Sequence, residues 1–355
     1  MNNKNIGTPS DLIMKRSVLK HLKKRTKFMT AGPTSGSDFT VYRNMITANG
    51  AADSVFLKDI EDISAAGLAF TRAKNHLSLA FPLTENEKID GCTMIIDMIL
   101  GGDCKEEVIR KEMNLLTELA AKEGITIIGG NTRYLGNGDD YSVNIILNRM
   151  IEKDDISNVI WNKKIQPGDK LIMAGTTGML GATLLKMNYK EELVKRFSKS
   201  YIDTMGYPFE MNDISAMAGI AIEYAVKMHD ISNGGVYAAI YQLTDAADLG
   251  INIIHENIPM EQPTVEIAEF FGINPYKMLG TGALLVAVRD KEAKEILDKF
   301  QKLGYTASVI GEFTKGKDRV IGSLKYKMRR VITPYDHDEL ATLISYEKLK
   351  EGQEC

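Results

Sequence analysis

Apolar residues fall into two kinds of run along this chain. Cys92–Leu100 (CTMIIDMIL), Lys170–Ala174, Ile251–Ile254, Ala283–Val288 and Ala307–Ile310 are short blocks that predict strands, and Phe39–Val41 is a shorter one. Between the blocks, apolar residues recur at helical spacing. Ala65, Ala66, Ala69 and Ala73 mark a helix within Ile60–Leu79. Ile109, Met113, Leu116 and Ala120 mark another, opened by Asp103 three residues before Glu106 as in a capping box. Gly124 ends it and Ile125–Ile128 predicts the next strand, so this stretch is a strand–helix–strand crossover. Ile214–Val226, Val236–Ala247 and Lys291–Leu303 predict further helices, with a loop over 229–235. Strands alternating with helices imply α/β layers, helices covering sheets.

The chain has 355 residues, more than one core usually holds. Asp154–Gly168 is polar, contains the single Trp and the Pro167-Gly168 turn, and predicts the boundary between two domains. The expected organisation is a basic helical segment over 1–27, a first domain over 28–153, a second over 154–333 and a polar helical tail over 334–355. Lys15–Lys27 reads as an amphipathic helix with a solvated basic face. A formal net charge of −3 makes no case for nucleic acid or an anionic membrane. No apolar run approaches the ~18 residues that cross a bilayer. Three cysteines at irregular spacing (Cys92, Cys104, Cys355) are not a disulfide framework, and reduced thiols suit a cytoplasmic protein.

The most informative chemistry is His229-Asp230-Ile231-Ser232-Asn233-Gly234-Gly235, directly before a helix. Two glycines allow close backbone approach, and the free N–H groups and dipole of a helix start attract an anion. His229 and Asp230 add a titratable pair suited to proton transfer. The bland alternative is a capped loop between core helices. Gly175–Gly181 (GTTGMLG) lacks the Gly-Lys-Ser/Thr ending of a P-loop and is either a phosphate-contacting loop or a plain strand-to-helix turn.

With its flank, HDISNGGVYAAIYQLTDAADLGINI closely resembles the matching region of the formylglycinamide ribonucleotide amidotransferases and the hydrogenase-maturation proteins. Gly32–Tyr42 (GPTSGSDFTVY), Gly129-Gly130-Asn131-Thr132, Pro167–Leu185 and Phe270–Val288 agree in order. On these segments the chain resembles the aminoimidazole ribonucleotide synthase (PurM-like) superfamily, in its hydrogenase expression/formation (HypE-like) branch. The resemblance implies a two-domain α/β (α+β) fold. Its N-terminal mixed-sheet domain dimerises and binds nucleotide, and a C-terminal α/β domain follows. It also implies an enzyme that uses ATP with Mg²⁺ to activate an amide or related oxygen of a small substrate by phosphorylation.

Carried over by position, Asp38 and Asp53 fall where the family binds metal, and His229 and Asp230 where the phosphorylated group reacts. Nucleotide and phosphate would meet Asp38, Asp53, Asn75, His76, Gly129, Gly130, Asn131, Thr132, Ser232, Asn233, Gly234 and Gly235. Three departures stand out. Asn75-His76 replaces Asn-Asp, Asn131 replaces an acid, and Gly7-Thr8-Pro9 stands for Gly-Lys-Leu. Losing two carboxylates weakens a magnesium site, which leaves open a member that binds nucleotide or a partner without turnover. Carbamoyl dehydratases of the family carry their group on a terminal Cys. Here Gly352-Gln353-Glu354-Cys355 differs from their Pro-Arg-Ile-Cys, so Cys355 is expected to be dispensable for nucleotide binding.

Overall fold

The computed structural model describes residues 7–22, 27–57, 63–81, 91–151, 163–323 and 325–344. Thirteen strands form two sheets. The first contains β1 (Met29–Ala31), β2 (Phe39–Tyr42), β3 (Met45–Asp53), β4 (Cys92–Leu100), β5 (Thr126–Tyr134) and β6 (Tyr141–Met150), in the order β1-β2-β3-β6-β4-β5. Within this sheet, among the described residues, only β4 and β5 pair parallel, joined by the predicted crossover through the helix Glu106–Glu123. The second sheet contains β7 (Lys170–Ala174), β8 (Ala225–Ile231), β9 (Gly250–Ile254), β10 (Ala283–Val288), β11 (Ala307–Thr314), β12 (Arg319–Ser323) and β13 (Met328–Val331). Their order is β13-β12-β9-β11-β7-β10-β8.

Burial follows the pleat. β4 alternates strictly, with Cys92, Met94, Ile96, Met98 and Leu100 buried under the helix layer and the intervening residues half-buried on the far face. The helix Ala65–Ser78 covers β3 and β6. Its alanines let it lie close, so that a Cβ on Gly50 of β3 would sit 2.2 Å from the Ala69 carbonyl oxygen. β10 is buried along its whole length, as befits a strand with neighbours on both sides and helices over the sheet.

Four local expectations change. Asp103 does not cap the helix it precedes: Lys105 holds the N-cap position, and the Asp103 carboxylate accepts from the Gly138 N–H instead. Gly124, in contrast, is the left-handed C-cap that was expected. The helix predicted over Ile214–Val226 ends at Ala221, and β8 then carries His229 and Asp230 within a strand rather than a loop. Gly129–Thr132 is not a turn but the middle of β5, because that strand runs on to Tyr134. Finally, the segment after Pro334 is not a solvated tail. Tyr335, Asp338, Leu340 and Ala341 are buried, and residues 339–344 are helical. The predicted boundary Asp154–Gly168 falls largely on 152–162, outside the described residues. Among the described residues no helix is long and apolar enough to cross a membrane.

Candidate active site

The two sheets meet where the loop ahead of β2 touches the end of β8. Gly36 makes that approach possible. Its φ is +66°, and a Cβ there would sit 3.0 Å from the Gln242 side chain on the helix Gly235–Ala247. Two residues later the Asp38 carboxylate meets His229, with Oδ2 2.8 Å from Nδ1. The other ring nitrogen, Nε2, lies 3.2 Å from Gln242 Oε1. Gln242 donates its own NH₂ to Asp11 Oδ1, which turns its oxygen toward the imidazole. His229 thus faces an acceptor at both nitrogens, as an imidazolium does. Burial works against its charge, but the Asp38 charge and hydrogen bond outweigh it and raise the pKa above the ordinary His value. Burial likewise opposes ionisation of Asp38, yet His229 and His76 hold that carboxyl below its usual range.

His76 stands between two carboxylates. Its Nδ1 donates to the Asn49 carbonyl at 2.6 Å, while Nε2 lies 3.4 Å from Asp230 Oδ2 and 3.9 Å from Asp38 Oδ1. Burial again opposes protonation, and Asp230 and Asp38 overcome it, so this pKa is also raised. One helical turn earlier on the same face, Arg72 donates to the Ala51 carbonyl at 2.6 Å and approaches Asn233 Oδ1 at 3.4 Å. Its Nε is buried without a partner.

Asp230 is the group left open. It is 2% exposed, and neither carboxylate oxygen has a hydrogen bond. Its charge faces His76 Nε2 at 3.4 Å from Oδ2, which leaves both oxygens with capacity to accept from a further donor or cation. The sequence carry-over put the metal on Asp38 and Asp53 instead. Asp38 is committed to the two histidines, and Asp53 Oδ1 accepts from Ser142 at 2.7 Å. Among the described residues no three His, Cys, Asp or Glu side chains are grouped to hold a metal ion. Mg²⁺ is commonly held by one or two carboxylates with phosphates and waters, and Asp38, ion-paired to both histidines, is less free to meet it than Asp230.

Residues 166–323 match the family model for the AIR synthase related protein, C-terminal domain. The match covers less than half of the chain. The match runs from the β7 approach to β12, and so includes His229, Asp230 and the Gly234-Gly235 helix start. Across a longer stretch the chain is 25% identical to a hydrogenase expression/formation protein of Methanocaldococcus jannaschii, covering 61% of this chain and 62% of that protein. It is 23% identical to the carbamoyl dehydratase HypE of Escherichia coli, covering 64% and 65%. The matches thus span less than two thirds of these relatives. In fold, the chain resembles a structure of a HypE–HypF complex at TM-score 0.67 and 19% identity, over 90% of this chain and 99% of that one. It also resembles HypE in complex with ATP, at TM-score 0.63 and 13% identity, over 93% and 96%. The resemblance read from the motifs therefore holds for the superfamily, for its HypE-like branch and for the fold.

In the matched region the loop before the helix Gly235–Ala247 is clamped from both chain ends. Gly234 has a φ of +77°, and its N–H donates to Asp338 Oδ2 at 2.7 Å. A Cβ on Gly234 would lie 2.2 Å from the Tyr335 ring. Asn233 donates to Thr8 Oγ1 at 2.6 Å, and the Ser232 carbonyl accepts from Gly235 and Gly280. Asp11 and Tyr335 exchange two further bonds, Asp11 N–H to the Tyr335 carbonyl and Tyr335 N–H to Asp11 Oδ2. A small cavity of about 80 Å³ remains between Asp53, Arg72, Asn233, Tyr335 and Asp338.

Other carried-over positions lie apart from this cluster. Asn75 is fully buried and spends its amide on the Asn212 carbonyl and the Ile214 N–H, holding a loop of the second domain. Gly129, Gly130, Asn131 and Thr132 are exposed on β5. Four strand spacings separate β5 from β2, roughly 19 Å. Gly175–Gly181 is mostly buried, with Gly178 as the left-handed cap of the following helix, which is the plain-turn alternative. Cys355 lies outside the described residues. Arg72, Gln242, Asp11 and Asp338 were not singled out from sequence. Arg72 had a signal, since it precedes His76 by one helical turn; the others come from distant segments and had none.

Proposed function

We propose that this protein binds ATP at the seam between its two sheets and uses it to phosphorylate an amide or related oxygen of a small substrate. Asp230 carries the reading: a buried carboxylate whose oxygens accept no hydrogen bond, with His76 Nε2 3.4 Å from Oδ2, beside Arg72 and the Gly234-Gly235 helix start. In that step the substrate oxygen bonds to the γ-phosphorus while the bond to the β-phosphate oxygen breaks and ADP leaves. Asp230 is the residue to meet the Mg²⁺ that accompanies the nucleotide, and Arg72 offers a donor to the phosphates. His229, with both nitrogens engaged, positions Asp38 and Gln242 rather than shuttling protons. The ATP-bound HypE of the same fold supports the nucleotide, and the exposed edge of β5 supports a homodimer. Cys92 and Cys104 are free and buried, with burial pushing the Cys92 thiol up to about 11, which fits a reducing cytoplasm.

A second reading, nucleotide or partner binding without turnover, draws on Asp338. Its carboxylate already accepts the Gly234 N–H that a phosphate would need. One pair of measurements separates the readings. Melting temperature is followed with ATP, with and without Mg²⁺ or Mn²⁺, alongside ATP hydrolysis. Ligand at a hundred times its Kd stabilises the native state by about 2.7 kcal/mol. Wild type is expected to melt higher with Mg-ATP. Asp230→Asn is expected to lose the nucleotide shift, and the melting temperature without ligand is measured alongside because the substitution also removes a charge beside His76. Absence of any shift with millimolar Mg-ATP sinks the enzyme reading, and a shift without hydrolysis favours the second.

A further inference from the structure

Beyond the nucleotide site, the C-terminal segment bounds a second and larger cavity. It measures about 310 Å³, at the small end of ligand pockets. Its walls come from the first turn of the helix Gly235–Ala247, the turn Pro275–Lys277, β13 and the segment Pro334–His337. Its floor is apolar, with Ile321 and Ile332 both nearly buried. One side is aromatic: Tyr237 and Tyr276 stack with ring centres 5.2 Å apart and planes at 7°, and His255 leans on Tyr276 at 4.8 Å.

The polar rim is not charge-balanced. Lys277 is paired with Asp336 at 3.3 Å, and His337 lies between Asp336 and Glu339 at 3.2 and 3.7 Å. Arg330 on β13 makes no ion pair among the described residues, and its charge is felt at the Tyr237 phenol. An unpaired guanidinium over an aromatic wall and an apolar floor suits a flat molecule with an anionic group at one end.

The position of this cavity links it to the chemistry. Gly234 lines it, and Tyr335 lines both it and the 80 Å³ cavity that holds Asp53 and Arg72. One side chain therefore separates the two spaces. Gly235 braces the partition from the other side, since a Cβ there would sit 2.6 Å from the Tyr276 carbonyl oxygen.

We propose that this outer cavity is the substrate pocket and takes a planar aromatic ring bearing an anionic group. The anion meets Arg330, the ring lies along Tyr237, and the opposite edge points past Tyr335 toward the cavity that holds Asp53 and Arg72. This rests on the phosphorylation reading above for its meaning, but not for its test. The probe is phenyl phosphate, observed by saturation-transfer NMR on the full chain without nucleotide, with inorganic phosphate and phenol as competitors. Wild type is expected to bind the probe, with neither competitor displacing it at equal concentration. Arg330→Ala, at an exposed position, is expected to weaken binding at least tenfold, the scale of one charge-assisted hydrogen bond. Tyr237→Leu, which keeps an apolar filler, is expected to weaken it severalfold. No binding at millimolar probe, or binding that both variants leave unchanged, overturns the proposal. Sensitivity to Arg330→Ala alone, or equal competition by inorganic phosphate, reduces the site to an anion patch and overturns the ring assignment. Failure of Mg-ATP to bind while phenyl phosphate binds would remove the phosphorylation reading and leave the pocket standing.

Discussion

At the scale of single residues, the site is a chain of alternating charge: Asp38 with His229, then His76, then Asp230 with Arg72 nearby. The sequence showed that His76 replaces a carboxylate. It could not show that the imidazole would sit between two acids, because Asp38, His76 and Asp230 come from three separate elements. The chain predicts its own pH behaviour. His229 and His76 have folded pKa values above the ordinary 6.5. Their stabilisation is fully present below the unfolded value and is lost as pH rises through the folded ones. Asp38 has a depressed pKa, so its share is present above the unfolded value and is lost as pH falls through the folded one. Breaking a buried ion pair from one side typically costs about 3–5 kcal/mol, because the other charge is left stranded. His229→Ala is therefore expected to lower unfolding stability by about 3 kcal/mol near pH 6, measured by urea titration. The gap to wild type is expected to narrow in alkaline buffer. A proton-transfer role for His229, which the motif suits, would instead cost turnover and spare folding. A penalty under 1 kcal/mol that does not change with pH would restore that view.

Among elements, legibility tracked periodicity. The ends of β4, β7 and β10 match the apolar blocks that predicted them. β8 was hidden because its burial is nearly continuous, Ala225 to Ile231 with only Lys227 half-exposed, so it has no period-two signal. β5 was cut short for the opposite reason. Gly129-Gly130 reads as a turn, yet Gly130 is a strand residue whose Cβ would lie 2.0 Å from the Ile96 carbonyl oxygen. The glycine is there for close strand approach. The C-terminal segment was the largest surprise, and Asp338 is its latch. Burial pushes that carboxyl up to about 6, against hydrogen bonds from Gly234, Leu340 and Leu279 that pull it down. A raised carboxyl stabilises the docked segment most below its unfolded value, and this contribution fades as pH rises toward 6. Asp338→Asn keeps an acceptor for Gly234 and removes the titration. Hydrogen exchange at residues 335–344 is expected to quicken in wild type between pH 4 and 7, beyond the intrinsic rate, and to stay flat in the variant. Equal profiles would mean the latch is held by Tyr335 packing alone.

At the scale of the whole molecule, one face is unfinished. Among the described residues β5 ends the first sheet, with no strand beyond it. It carries Ile128 and Tyr134 at 57% exposure, followed by Leu135 at 66%. Edge strands of this length are normally shortened, charged or covered. The far face continues inward with Ile95, Ile99 and Ile146, all half-buried. Register places Gly129 beside Ile95 and Asn131 beside Asp97, so these two carried-over residues stand on this same unfinished face, while Gly130 and Thr132 pair with Ile96 and Met98. Within one chain they are roughly 19 Å from the strand that follows Asp38. A second copy seated on the face would cover the apolar residues and could bring its own Asn131 toward the other copy's site. Twofold pairing is the commonest closed assembly, and it buries one patch against itself. Light scattering at micromolar concentration is expected to give twice the chain mass for wild type. Ile128→Lys, which puts a charge in the centre of the patch, is expected to give the single mass with an unchanged circular dichroism spectrum. If β5 supplies nucleotide contacts across the dimer, the same variant loses most of the Mg-ATP melting shift although it leaves Asp230 and Arg72 untouched. A wild-type monomer would remove the dimer. A monomeric variant with the full nucleotide shift would keep the dimer but confine the site to one chain.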